Sequence, residues 1–146
     1  MTRTVLALVA EVVLVIVVAL LLGAVWQWFL VGDLATGLVE GARLLFLFMD
    51  VGLVAWLVVL IVLTVRGRAL PGIGPTLLAA VAAVVLNAIV VLIVGLAQGG
   101  WAPLFVLFAI EAGIAFLIAV LVVAPIIRRL FRSEVTPTPE GLPPGD

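Results

Sequence analysis

TLLAAVAAVVLNAIVVLIVGL, residues 76–96, runs for twenty-one positions without one ionisable side chain. A helix needs about 20 apolar residues to cross the hydrocarbon of a bilayer. In lipid every backbone N–H and C=O must find its partner inside the structure, which leaves only helices and closed barrels. The alternating pattern of a barrel strand is absent here. The segment therefore predicts a membrane-spanning helix.

Working outward, three more runs have the same character: 5–26, 44–65 and 104–127. The first is too long for the apolar region of about 7–15 residues in a secretory leader, and no A-x-A site follows it, so it reads as a span. The fold class expected is all-α: a polytopic membrane protein with four transmembrane helices over 1–132. The rest, SEVTPTPEGLPPGD at 133–146, is rich in Pro and polar residues and reads as a disordered cytoplasmic tail.

Composition agrees. Of 146 residues, 67% are hydrophobic and 10% charged, against about half and about a quarter in soluble domains. The net charge of −1 offers no footprint for a nucleic acid. Cys and His are both absent. That removes disulfides, thiol catalysis and the commonest metal ligands. No cofactor, metal site or catalytic residue is expected, and an enzyme is not the reading. All seven basic residues are Arg, none is Lys, and with the Val/Leu/Ala bias this points to a bacterial inner membrane.

The connections differ in composition from the spans. Residues 32–41 hold Asp33, Glu40 and three glycines, 66–75 read RGRALPGIGP, and 97–103 read AQGGWAP. With four spans, Arg3, Arg66, Arg68, Arg128, Arg129 and Arg132 share one side, and only Arg43 falls on the other. The positive-inside rule then places both termini in the cytoplasm of a plasma membrane. Trp26, Trp28 and Trp101 mark the opposite boundary as an aromatic belt would.

An internal repeat is also visible. ALVAEVVLVIVVALLLG at 7–23 laid on AAVAAVVLNAIVVLIVG at 79–95 matches at nine of seventeen positions. FMDVGLVAW at 48–56 and AIEAGIAF at 109–116 share an acid, a glycine two residues on, and a later aromatic. The chain thus reads as two tandem helical hairpins, 4–65 and 76–127, related as parallel repeats.

Four polar residues fall inside spans: Glu11, Asp50, Asn87 and Glu111. Charge is costly in hydrocarbon, so such residues face other helices or a polar cavity. No span carries an obvious basic partner for the acids. Helical side chains lean toward the helix N-terminus, so Asp50 and Glu111 lean outward and Glu11 toward the cytoplasm. With Cα atoms about 9–10 Å below the boundary at 1.5 Å per residue, each acid is able to snorkel. Asn87 reads as an interhelix hydrogen-bonder. Arg43 reads as an interface anchor rather than a partner for Asp50. Small residues recur every four positions, at Ala7, Ala19 and Gly23, at Ala79, Ala83 and Gly95, and from Glu111 through Ala115 and Ala119. These stripes predict close helix seams. Arg128, Arg129 and Arg132 form a cytoplasmic basic cluster suited to anionic lipid or a cytoplasmic partner.

Two functions follow. One is a non-catalytic accessory or scaffold component of a membrane complex, with the bilayer and other membrane helices, in a homo-oligomer or larger assembly, as partners. The other is a small oligomeric transporter or channel whose intramembrane carboxylates bind a cation or proton.

Overall fold

The computed structural model describes residues 2–67, 69–99 and 102–132. The expected tail, 133–146, together with Arg68 and Trp101, lies outside the described residues. The described residues form five helices: α1 Thr2–Val31, α2 Leu34–Phe48, α3 Asp50–Gly67, α4 Ile73–Ala97 and α5 Ala102–Arg132. Four of them are long and apolar enough to cross a membrane. The chain is a multi-pass, membrane-embedded helical protein.

Surface and interior are distributed as lipid demands. Phe29 and Leu78 are 76% and 72% exposed. Among the fully buried residues are Ala7, Glu11, Val15 and Ala19 of α1. In water so much continuous exposed apolar surface would drive aggregation. In a bilayer the large side chains meet acyl tails, while the small ones let helices approach. The seams of α1 and α4 fall on the expected stripes, with Ala79, Ala83, Asn87 and Gly95 buried. That of α5 is displaced. Ala112, Phe116, Ala119, Val120 and Val123 are buried, whereas Glu111 and Ala115 sit at its half-buried edge.

Helix contacts run in a ring. α1 packs on α2 and α5, α4 packs on α5 and α3, and α2 also touches α5. The aromatics paired by the repeat alignment meet each other at the centre, Trp56 edge-on to Phe116 with centroids 5.2 Å apart. The two halves are nevertheless built differently. The second half returns in one continuous helix, α5, while the first returns as α2 and α3 with a break at Met49.

Residues 32–41 are not the long connection that their composition suggested. The chain reverses within Gly32 and Asp33, and α2 begins at Leu34. Gly32 takes φ +80°, a left-handed conformation that closes helix ends and favours glycine. The Asp33 carboxylate then caps α2, accepting the Thr36 N–H at 2.7 Å and the Thr36 hydroxyl at 2.6 Å. The remaining glycines are seam residues. A Cβ on Gly41 would lie 2.6 Å from the Ala24 nitrogen, and one on Gly37 2.8 Å from the Ala24 oxygen. Gly37 and Gly41 thus form a small-xxx-small face against α1.

Candidate functional site

The four intramembrane polar residues do not converge on one centre. Glu11, Asn87 and Glu111 are tied to parts of the chain far away in sequence, each at a different place in the bundle, while Asp50 is held by its own backbone.

Glu11 sits on the buried stripe of α1 and is fully enclosed. It does not snorkel to a surface. Arg128, near the end of α5, reaches it with an Nη1–Oε1 distance of 3.0 Å. The same guanidinium donates to the Ala124 carbonyl at 2.8 Å, the Pro71 carbonyl at 2.9 Å and the Thr76 hydroxyl at 2.6 Å. Thr76 in turn donates its hydroxyl to the Gly72 carbonyl at 2.9 Å. One planar fork with five N–H donors thereby fastens α1, the α3–α4 connection, the first turn of α4 and the last turns of α5. Of the basic residues expected to cluster at this end, Arg128 is turned inward: its side chain is 11% exposed and engaged inside the bundle. Arg129 is exposed at the same end, and the side chain of Arg132 lies outside the described ones. Beside this clamp a cavity of about 560 Å³ opens, lined among others by Arg3, Arg128 and residues 69–72.

Asn87 is fully buried on α4 and lies against the break in the second span. Its side-chain oxygen accepts the Gly52 N–H at 3.1 Å, and its amide nitrogen donates to the Phe48 carbonyl. In an unbroken helix the Gly52 N–H would bond to that Phe48 carbonyl. The amide of Asn87 is inserted between the two, one of the few physical causes of a sharp helix discontinuity. Gly52 allows the approach. A Cβ there would lie 3.0 Å from the Ala83 carbonyl oxygen and 3.1 Å from the Asn87 Cβ. Asp50 opens α3, bonds its own neighbour's N–H (Val51, 2.7 Å), and faces outward. A carboxylate at a helix N-terminus is favoured by the helix dipole. Arg43 does not reach it, pairing instead with Glu40 at 3.1 Å on the exposed face of α2.

Glu111 is half-buried on α5. Its Oε1 accepts from Gln27 Nε2 at 2.9 Å, and its Oε2 has no partner among the described residues. Gln27 lies between Trp26 and Trp28, so the acid is tied to the tryptophan end of α1. Glu111 borders an apolar groove of about 360 Å³ between α1, α2 and α5. No group of three or more His, Cys, Asp or Glu side chains suited to a metal occurs among the described residues.

Gln27, the Gly37–Gly41 pair, Thr76 and the inward role of Arg128 escaped the sequence reading. Gln27 carried a signal as an amide between two tryptophans, Trp26 and Trp28. TGLVEG, residues 36–41, held a G-x-x-x-G spacing inside what read as a loop. Thr76 and Arg128 gave none, since their pairing spans 52 residues. No protein-family model, curated protein or solved structure matches this chain.

Proposed function

We propose that the chain is a non-catalytic accessory or scaffold component of a membrane complex, and that Asp50 marks the face that meets a partner helix. One observation carries this reading. The fully buried polar side chains Glu11 and Asn87 are engaged within the chain, whereas Asp50 stands outward. Its neighbours Leu47 and Val54 on that face are 65% and 62% exposed. An acid among lipid-facing residues is costly, and a polar or basic residue on a neighbouring helix relieves that cost. The centre of the bundle is closed by Met49, Trp56, Leu60 and Phe116, which leaves no polar route across among the described residues. Arg3, Arg66 and Arg128 gather at one end and favour a plasma-membrane protein with both termini in the cytoplasm.

The test uses the absence of native cysteine. Val54→Cys is placed beside Asp50, and the full chain is oxidised in membranes, then purified in mild detergent. A disulfide-linked second copy, or a stoichiometric co-purifying membrane protein lost with Asp50→Asn, supports the reading. A monodisperse single chain that shows neither overturns it.

A second reading, an oligomeric transporter or channel for a cation or proton, is favoured by the break at Met49. Discontinuous helices often build ion and substrate sites at mid-membrane. Flux into liposomes that Asp50→Asn and Glu111→Gln both abolish selects it.

A further inference from the structure

We infer that the groove beside Glu111 is a binding site for a small amphiphilic organic cation, an amine with an apolar body, entering from the lipid. This inference stands apart from the scaffold reading, since it concerns a different face.

The first support is the composition of the walls. Trp26, Phe29, Ala112, Ala115 and Ile118 line the groove together with Glu111, its single ionisable group. One carboxylate in an apolar wall selects for positive charge and rejects anions. The second is the state of that carboxylate. Gln27 holds Oε1 at 2.9 Å and so fixes the side chain, but a neutral amide supplies no charge. Oε2 lacks a partner among the described residues, so a cation there would meet an oriented and uncompensated oxygen. The third is the aromatic pair. Trp26 and Phe29 border the same space, and rings attract organic cations to their faces, Trp most strongly.

The groove holds about 360 Å³, within the range of about 300–1,000 Å³ typical of small-molecule sites. The way in is lateral: Val25, Ile114 and Ile118 at its rim are 45%, 54% and 43% exposed on the lipid-facing side.

The test uses the full chain in phosphatidylcholine nanodiscs and two probes of one shape. Benzyltrimethylammonium carries the charge, and neopentylbenzene is its neutral carbon isostere. Binding is followed by tryptophan fluorescence and by equilibrium dialysis. Saturable binding of the cation is expected, with the isostere at least about tenfold weaker, a difference of about 1.4 kcal/mol. Glu111→Gln should erase that preference, and Glu111→Asp should keep part of it. Ala115→Leu fills the groove without touching the carboxylate and should abolish binding, which keeps the test valid if Glu111→Gln fails to fold. Equal binding of both probes, a preference that survives Glu111→Gln, or no saturable binding at all overturns the inference.

Discussion

Two glutamates of the same chain meet opposite fates. Glu11 is sealed in the bundle and faces a guanidinium that also holds three other oxygens. Each keeps its Oε2 without a hydrogen bond among the described residues, but Glu111 is half-open and its one partner is a neutral amide. Both sit on helices rich in Ala and Val, so local sequence does not separate them. What separates them is which end of the bundle they reach. The arginine end supplies a counter-charge, whereas at the tryptophan end Arg43 is paired with Glu40 on the exposed face of α2 and Glu111 meets only Gln27. A carboxylate that finds its cation within the chain braces the fold. One that does not remains available to something outside it.

The largest effect should come from breaking the closed member of that pair. Arg128→Ala leaves Glu11 buried without its cation and costs about 3–5 kcal/mol, the usual penalty for a halved buried ion pair. Thermal unfolding in detergent should show a large drop in Tm and poor accumulation in membranes. Replacing both partners, Glu11→Leu with Arg128→Met, should recover most of the loss, because no charge is then stranded. A double variant as unstable as the single one would mean that the guanidinium matters through Pro71, Thr76 and Ala124 rather than through Glu11.

Next is Asn87, which resembles Glu11 in burial but not in charge. Asn87→Ala removes the amide from between Phe48 and Gly52 and should cost about 1–3 kcal/mol for the groups left unpaired. The Gly52 amide should also change its hydrogen-exchange protection, since its acceptor is lost. If instead the helix closes over the gap, the stability loss shrinks and Gly52 becomes more protected. That outcome would identify Asn87 as the cause of the break rather than its repair.

The contrast explains what could be read in advance. The four spans were legible because hydrocarbon thickness imposes their length and composition locally. The first part of α2, before the expected span at 44–65, was not legible, since Glu40 and its glycines have the composition of a loop, and the Asp33 cap and the close seam with α1 hold it as helix. The amide that bridges the break at Met49 comes from Asn87, 35 residues from Gly52, and no local propensity encodes that meeting. Arg128 was counted as a basic residue near the cytoplasm. The positive-inside rule sums charges and is blind to their partners. Glu11, Asp50, Asn87 and Glu111 were found because polarity in an apolar run is conspicuous. Their separate roles were set by packing.

The open member of the pair should behave as dispensable for folding. Glu111→Gln keeps an acceptor for Gln27 and removes only charge, so stability should change by no more than about 0.5 kcal/mol, as at sites outside a sealed network. Chemical denaturation in the same detergent as Arg128→Ala makes the two directly comparable. A loss approaching that of Arg128→Ala would place Glu111 among the braces and end the distinction between the two acids.

The smallest effect lies at Asp33, between the spans, where a carboxylate is satisfied by its own helix. The Thr36 hydroxyl, and then the Thr36 N–H, bond to it and hold its carboxyl below the usual Asp range. For a lowered value the sign is fixed: the cap is complete above the unfolded-state value of about 3.9 and is lost as pH falls through the lower folded value. The first turn of α2 should therefore be indifferent to pH between neutrality and about 5 and fray only in stronger acid. The Thr36 amide resonance, followed by NMR against pH, should titrate with a midpoint below about 3.9. Asp33→Ala should abolish that titration and loosen only the residues next to Gly32, with Glu11, Arg128 and the groove unmoved. A midpoint at or above the ordinary Asp value would mean that Asp33 does not cap α2. The tight reversal after α1 would then rest on the Gly32 conformation and the Gly37–Gly41 seam alone.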